Sequence, residues 1–152
     1  MLMMAFDKTN ARMALLDQGL RQLIGSGEIV HIPNTEFYRS RVEGGFVRYR
    51  WHQKNKDDQR GYWTAEYPSG EIQYYGADTK GTLALGSQVY GLDGTYCWKL
   101  HTRIDRNGNR IEYRYTRKGA QLYLSRIEWV FGKSGKPLYA AELTYQDRPD
   151  PI

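Results

Sequence analysis

The chain has 152 residues, enough for one domain with a hydrophobic core of its own. Hydrophobic residues make up 40% of it, and no stretch approaches the roughly 20 apolar residues that cross a bilayer, so we expect no membrane span. The formal net charge is +5, but the 22 Lys and Arg residues are interspersed with 17 Asp and Glu residues, which argues against a nucleic-acid partner. The apolar opening Met1–Phe6 lacks a basic leader and is too short for a signal peptide, so we expect none in this chain.

Residues 9–24 have the apolar spacing of an amphipathic helix. Thr9 or Asn10 would cap its start, and Gly25–Gly27 would end it. The sequence therefore predicts one N-terminal helix at about 9–24, within a helical segment 1–27 that precedes a β module at 28–152 in a single domain. The apolar stripe consists of Met13, Leu16, Leu20, Leu23 and Ile24.

From Glu28 onward the apolar residues recur with the period of two that is typical of β-strands. The chain has 13 tyrosines and 4 tryptophans, side chains that suit half-buried sheet surfaces. Glycine-containing turn signals recur between alternating runs, which is a strong hairpin pattern. The sequence thus predicts a mainly β fold, an antiparallel meander of aromatic-rich hairpins. Its structural turns are expected at Gly70, Asn107, Gly108 and Gly135.

The middle hairpin can be written out in register with Asn107-Gly108 at the centre of its turn. Ile104 then faces Ile111, and Arg103 faces Glu112. This register sorts apolar side chains to one face and opposite charges to the other, so we expect it to be the observed one.

The two outer hairpins follow the same construction, which pairs Tyr67 with Ile72 and Phe131 with Leu138. Residues 77–94 show no clear alternation. We expect a connection there that includes a short strand around Gln88–Tyr90.

No constellation of catalytic or ligand-binding residues is found in the sequence. It lacks the glycine-rich phosphate loop and the nucleophile elbow, and no acidic spacing indicates a glycosidase pair. Cys97 is the single cysteine and the three histidines are scattered, so we expect no disulfide, metal site or cofactor. Cys97 fits a buried thiol better than a nucleophile, and Asp105 fits a turn cap. We therefore expect no catalytic residue and no enzymatic activity.

Arginines alternate with aromatic residues on the first predicted strands. On an open sheet such a set would stack bases or sugars, which supports an alternative function as a carbohydrate- or nucleic-acid-binding β module. The other interpretation is that the arginines cover aromatic edges with their aliphatic stems. The candidate binding face consists of Arg39, Arg41, Arg48, Arg50, Tyr49 and Trp51.

Five segments of the sequence carry a resemblance to a known family. The longest, Trp98–Tyr115, follows the pattern W-x-L-x-x-x-x-D-x-x-G-N-x-I-x-Y-x-Y of SpvB-like virulence proteins and the B components of Tc toxins. Trp129 stands where that family usually has Tyr. The resemblance covers about residues 30–150 and leaves 1–27 outside. The other four segments, in the family's order, are Tyr38–Gly44, Trp63–Gly76, Tyr123–Trp129 and Tyr145–Asp150.

This resemblance implies a segment of a β-rich toxin shell related to Rhs (YD) repeats. In the family, the B component and an Rhs-repeat C component enclose a toxic domain. Enzymatic activity in SpvB-like proteins belongs to a separate ADP-ribosyltransferase domain, which nothing in this sequence resembles. The implied function is therefore a non-enzymatic structural module of a bacterial toxin or virulence protein.

The resemblance also implies partners and a location. The partners would be other segments or subunits of a toxin complex, and a homodimer is a further candidate. The protein would be bacterial, secreted as part of a toxin complex or cytoplasmic before release. Family members are far longer than 152 residues, so the chain would be a fragment or a short relative.

Overall fold

The computed structural model describes residues 2–7, 12–17, 29–53, 60–91 and 94–146, the first two ranges by their backbone. These residues form twelve β-strands and one 3₁₀ turn at Leu85–Ser87, and none of their helical structure is long and apolar enough to cross a membrane. The strands are β1 (Leu2–Asp7), β2 (Arg12–Asp17), β3 (Ile29–His31), β4 (Phe37–Ser40), β5 (Arg48–Gln53), β6 (Gly61–Glu66), β7 (Ile72–Tyr75), β8 (Gln88–Gly91), β9 (Gly94–Ile104), β10 (Arg110–Lys118), β11 (Gln121–Phe131) and β12 (Pro137–Glu142).

The strands form an antiparallel meander, which confirms the predicted fold class. The main sheet has the order β12-β11-β10-β9-β7-β6-β5-β4-β3. The long strand β9 also belongs to a second, smaller sheet. Its C-terminal part pairs with β7 and β10, whereas its N-terminal part pairs with β8 and β1, and β1 pairs in turn with β2. The strand β9 therefore holds the two sheets together.

Aromatic side chains on one face of β5, β6, β7 and β9 form most of the core. Trp51 lies directly opposite Trp63, with ring centroids 5.2 Å apart, and meets Trp98 edge-on at 5.4 Å. Such ring pairs contribute about 0.5–1.5 kcal/mol beyond the burial of their area, which explains the use of so many Tyr and Trp residues. The buried members of this core are Ile29, Val47, Tyr49, Trp63, Ala65, Tyr75, Trp98 and Leu100.

Four hairpin turns among the described residues share one hydrogen-bond pattern. Each turn spans five residues. The N–H of the first residue donates to the carbonyl of the fifth. The fourth residue is a glycine with positive φ, and its N–H donates to the carbonyl of the first. This is a three-residue loop, a type I turn followed by a left-handed glycine. The glycines expected in turns, Gly70, Gly108 and Gly135, all occupy the fourth position. The four turns are Tyr67–Glu71, Asp78–Thr82, Asp105–Asn109 and Gly132–Lys136.

The registers predicted for the three hairpins are wrong by one residue. Ile104 pairs with Arg110, and Arg103 pairs with Ile111. A two-residue loop centred on Asn107-Gly108 favours positive φ at both residues, whereas only Gly108 has it. The loop therefore takes three residues and shifts the returning strand by one. The same shift gives the pairs Glu66 with Ile72 and Phe131 with Pro137 in the outer hairpins.

The predicted helix at 9–24 is wrong where the structure describes that segment. Arg12–Asp17 forms strand β2 and pairs with β1, which pairs in turn with residues 97–99 of β9. The remainder of 9–24 lies outside the described residues. Met13–Leu16 is a continuous apolar run, and so short a run does not distinguish a helix from a buried strand. Pairing with distant strands decides between the two.

The connection at 77–94 contains the expected short strand and a hairpin that the sequence analysis missed. The strand is β8 (Gln88–Gly91). Before it, Ala77 and Leu83 form a bridge across the Asp78–Thr82 turn. The carboxylate of Asp78 accepts the N–H groups of Lys80 and Thr82 at 2.8 and 2.9 Å, so this side chain organises the turn.

Candidate functional site

The six residues of the candidate binding face lie on both sides of the sheet. Tyr49 is 2% exposed in the core, and Trp51 belongs to the tryptophan cluster. Arg48 and Arg50 lie on the opposite face of β5, with their guanidinium carbons 5.0 and 4.5 Å from the ring centroid of Phe37. The structure therefore separates these arginines from the aromatics with which the sequence grouped them.

The arginines surround a different aromatic residue, Phe37, on the neighbouring strand. Arg48 also pairs with Glu66 at 3.1 Å, so part of the positive charge is neutralised. Arg39 and Arg41 are exposed, and the alternation of β4 places Arg39 on the Phe37 face. Here arginines lie over a partly buried aromatic ring, as the stem-covering interpretation expects.

The residues considered for catalysis have structural surroundings. Cys97 is buried, and burial raises the pKa of its thiol, which disfavours the thiolate. The Asp105 carboxylate accepts the N–H groups of Asn107 and Asn109 at 2.8 and 2.9 Å, which confirms its role as a turn cap. Within the described ranges, no group of three or more His, Cys, Asp and Glu side chains is placed to hold a metal ion.

Strands β10, β11 and β12, hereafter the C-terminal sheet, have one apolar face. Cross-strand pairing brings Ile111 opposite Trp129 and Tyr113 opposite Ile127. The rings of Trp129 and Tyr139 stack with centroids 6.0 Å apart. Only Tyr113 of this set packs against the main core. The apolar face consists of Ile111, Tyr113, Ile127, Trp129, Tyr139 and Ala141.

The outer strand of the C-terminal sheet is an exposed edge. Among the described strands β12 pairs with β11 alone. Leu138 and Tyr139 are 67% and 58% exposed, and Leu143 and Tyr145 just beyond the strand are also exposed. An edge strand with free backbone groups and exposed apolar side chains is suited to pairing with a further strand.

The other face of the C-terminal sheet carries an arginine–glutamate ladder. Glu112 contacts Arg110 at 3.0 Å and Arg114 at 2.6 Å. Glu128 contacts Arg114 at 3.2 Å and Arg126 at 2.9 Å. Arg126 also pairs with Glu142 on β12. The ladder thus crosses all three strands and consists of Arg110, Glu112, Arg114, Glu128, Arg126 and Glu142.

His101 of β9 borders this ladder. Its Nε2 lies 3.3 Å from Nη1 of Arg114, and its Nδ1 lies 2.9 Å from Oγ1 of Thr102. Burial, and then the positive charge of Arg114, lower the pKa of His101 to about 4. The imidazole is therefore neutral near pH 7, when Nε2 can accept a hydrogen bond from Arg114.

Sequence reasoning missed both faces of the C-terminal sheet. The signal was present as an Arg-x-Glu-x-Arg run at 110–114 and an Arg-x-Glu run at 126–128, with apolar residues between the charges. The sequence analysis matched the charges of β10 with β9 alone and proposed no register between β10 and β11, where the ladder forms.

Comparisons with known proteins agree with the resemblance in the sequence. The family model described as SpvB, Salmonella virulence plasmid 65kDa B protein, matches residues 13–133. The match begins inside the segment 1–27 that the resemblance left out. Among curated protein sequences, none matches this chain.

Solved structures with the same fold come from much larger proteins. The N-terminal domain of effector protein SpvB from Salmonella typhimurium strain LT2 is 15% identical, with a TM-score of 0.56, and the match covers 84% of this chain and 51% of that one. A TcdB2-TccC3-TEV structure is 16% identical, with a TM-score of 0.63 over 99% of this chain and 9% of that one. A TcdB2-TccC3-Cdc42 structure is 15% identical, with a TM-score of 0.55 over 84% of this chain and 7% of that one. At such identities the likeness shows the fold.

Proposed function

Since the chain belongs to the SpvB family, we propose that it is a non-enzymatic structural module of a bacterial toxin or virulence protein, secreted with its complex. In this proposal the module acts by joining its sheet to strands of other segments or subunits of a toxin shell. The match with structures of TcdB2-TccC3 complexes supports this assignment, since this chain corresponds to less than a tenth of those proteins.

The exposed edge and apolar face of the C-terminal sheet carry the proposal. An isolated domain normally blunts its sheet edges and covers its apolar faces. Here β12 keeps a free edge among the described strands, and Tyr139 is 58% exposed beside Trp129. A neighbouring strand or sheet would pair with the free backbone groups of β12 and bury these rings.

The absence of enzymatic activity is part of the proposal. The acids and arginines of the C-terminal sheet are engaged with one another in the ladder, which favours a structural role for them. The Asp105 carboxylate is likewise engaged, as the cap of the Asp105–Asn109 turn. We expect purified protein to transfer no ADP-ribose from labelled NAD to protein acceptors and to show no metal-dependent hydrolysis. Turnover abolished by one substitution within 28–148 would overturn this part.

The assembly function is tested with purified products of the reading frames that neighbour this one. The tagged chain should bind one of these proteins, and Tyr139→Lys should weaken binding by at least about tenfold, because a charge would be buried at the joint. Val42→Lys is the matched control, since Val42 is 60% exposed but lies outside the C-terminal sheet. Equal effects of the two substitutions, or no binding to any neighbouring product, would contradict the proposal.

A further inference from the structure

A cavity of about 600 Å³ lies where β5, β6 and the Asp78–Thr82 turn meet. This volume is in the range of small-molecule sites. None of the residues that line it belongs to the C-terminal sheet, so it is separate from the surface proposed for assembly. Its chemistry is unlike that of the core, because basic side chains and aromatic rings share its wall.

Close packing holds the wall of the cavity in place. His52 and Tyr62 lie opposite each other on β5 and β6 and stack with centroids 4.5 Å apart and planes 6° apart. His52 is held further by a 2.8 Å contact between its Nε2 and Oγ1 of Thr64. A Cβ at Gly81, whose φ is +78°, would lie 2.8 Å from the Tyr62 hydroxyl oxygen. The turn therefore approaches the ring as closely as only glycine permits.

The lining of the cavity is positively charged. Among the described residues that line it, Arg50 and Lys80 are cationic, with Arg60 beside them, and Glu36 is the one acid. The nearest Arg50–Glu36 distance is 3.7 Å, longer than a hydrogen bond, and Glu36 is 81% exposed. Burial, and then the charge of Arg50, lower the pKa of His52, so its ring adds no charge at neutral pH.

Arg50 also retains unused donor capacity. Its Nε is buried and has no hydrogen-bond partner among the described residues. The side chain as a whole is 35% exposed, so the terminal nitrogens of the guanidinium can donate charge-assisted hydrogen bonds to an anion in the cavity. Lys80 adds a second cation from a different element, at a turn whose backbone is fixed by Asp78. Two cations on separate rigid elements are suited to the several oxygens of a phosphate group.

We propose that this cavity binds a phosphorylated sugar or a sugar-sized phosphate ester. The phosphate would lie between Arg50 and Lys80, and the sugar would rest against the stacked rings of His52 and Tyr62, which share the Arg50 face of the sheet. This assigns a ligand to the arginine side of β5, independently of whether the C-terminal sheet joins a shell.

Isothermal titration of the full chain with glucose 6-phosphate tests the inference, with glucose and inorganic phosphate as comparison ligands. We expect glucose 6-phosphate to bind more tightly than either, and Arg50→Gln and Lys80→Gln each to weaken it by at least about tenfold, since each removes a charge-assisted contact. Arg48→Gln is the matched control, because Arg48 shares the Phe37 ring with Arg50 but does not line the cavity. Thermal unfolding of each variant verifies that it is folded.

Three outcomes would overturn the inference. One is no binding of glucose 6-phosphate at about 10 mM, a concentration that detects even weak sites. The second is equal affinity for glucose, which would show that the phosphate is not recognised. The third is an equal loss of affinity in Arg48→Gln, which would show that general surface charge accounts for the binding.

Discussion

Glu112 and Glu128 lie directly opposite each other on β10 and β11, and each carboxylate contacts two arginines. Like charges in directly opposite positions normally destabilise a sheet. Here Arg114 lies diagonally between the two glutamates and contacts both, at 2.6 and 3.2 Å. The attraction of Arg114 for both carboxylates outweighs the repulsion between them, so the ladder can run across three strands.

Removing the charge of Glu128 should destabilise the protein by about 1 kcal/mol, because Arg114 and Arg126 would then face each other without their common acceptor. Both arginines are more than a third exposed, and solvent screening keeps the effect this small. Urea unfolding of Glu128→Gln measures it. Glu66→Gln is the control, since Glu66 has a single pair with the exposed Arg48, and it should cost less than about 0.5 kcal/mol. Equal losses in the two variants would show that the ladder adds nothing.

Gly108 should be required for its backbone conformation alone. Its φ is +87°, and a Cβ placed there would meet nothing within 4 Å. Gly108→Ala should therefore cost about 1 kcal/mol of backbone strain without any clash. Gly86→Ala is a matched control, because a Cβ there also meets nothing within 4 Å and Gly86 has no positive φ. It should be neutral or slightly stabilising in urea unfolding. Similar changes in the free energy of unfolding for the two variants would contradict the positive φ assigned to Gly108 in this turn.

Stability should fall as the pH drops from about 6.5 to about 4. His101 has a pKa of about 4 in the folded protein, below its ordinary value of 6.5, because of burial and then the charge of Arg114. The unfolded chain therefore binds more protons in this window, and up to about 3 kcal/mol is lost as the pH falls through it. The negative charge of Asp78 acts in the opposite direction and raises this pKa, but burial and Arg114 outweigh it.

Unfolding temperatures at pH 7 and pH 5 measure this effect. His101→Gln should show a smaller difference between the two pH values than the unsubstituted protein, and the exposed His31 provides the control variant His31→Gln. An unchanged pH dependence in His101→Gln would exclude His101 as its source.

The isolated chain should self-associate through its β12 edge. Free backbone groups on an edge strand with exposed apolar residues favour pairing between copies, and a twofold dimer is the commonest closed arrangement. Sedimentation or light scattering over a concentration range should show association below about 100 µM. In Leu138→Lys, association should require a higher protein concentration. A strict monomer at that protein concentration would mean that the β12 edge is protected.

The sequence by itself determined the meander of hairpins and the family to which the chain belongs. Alternation of period two and a glycine at the fourth position of each turn are local features, so they can be read without knowledge of distant contacts. The Asp105–Asn109 turn is the clearest case, because Asp105 as a cap and Gly108 as a glycine with positive φ are both recognisable from sequence, although the length of the loop is not.

The tertiary structure decided the registers, the course of the N-terminal segment and the composition of the cavity. Whether Asn107 takes a positive φ decides between a two-residue and a three-residue loop, and that choice moves every side chain on β10 by one position relative to β9. The apolar run Met13–Leu16 is a strand because β1 pairs both with it and with β9, a contact more than 80 residues away in the chain. Arg50, Tyr62 and Lys80 meet only because β5, β6 and the Asp78–Thr82 turn converge, and periodicity within one segment carries no information about which segments converge.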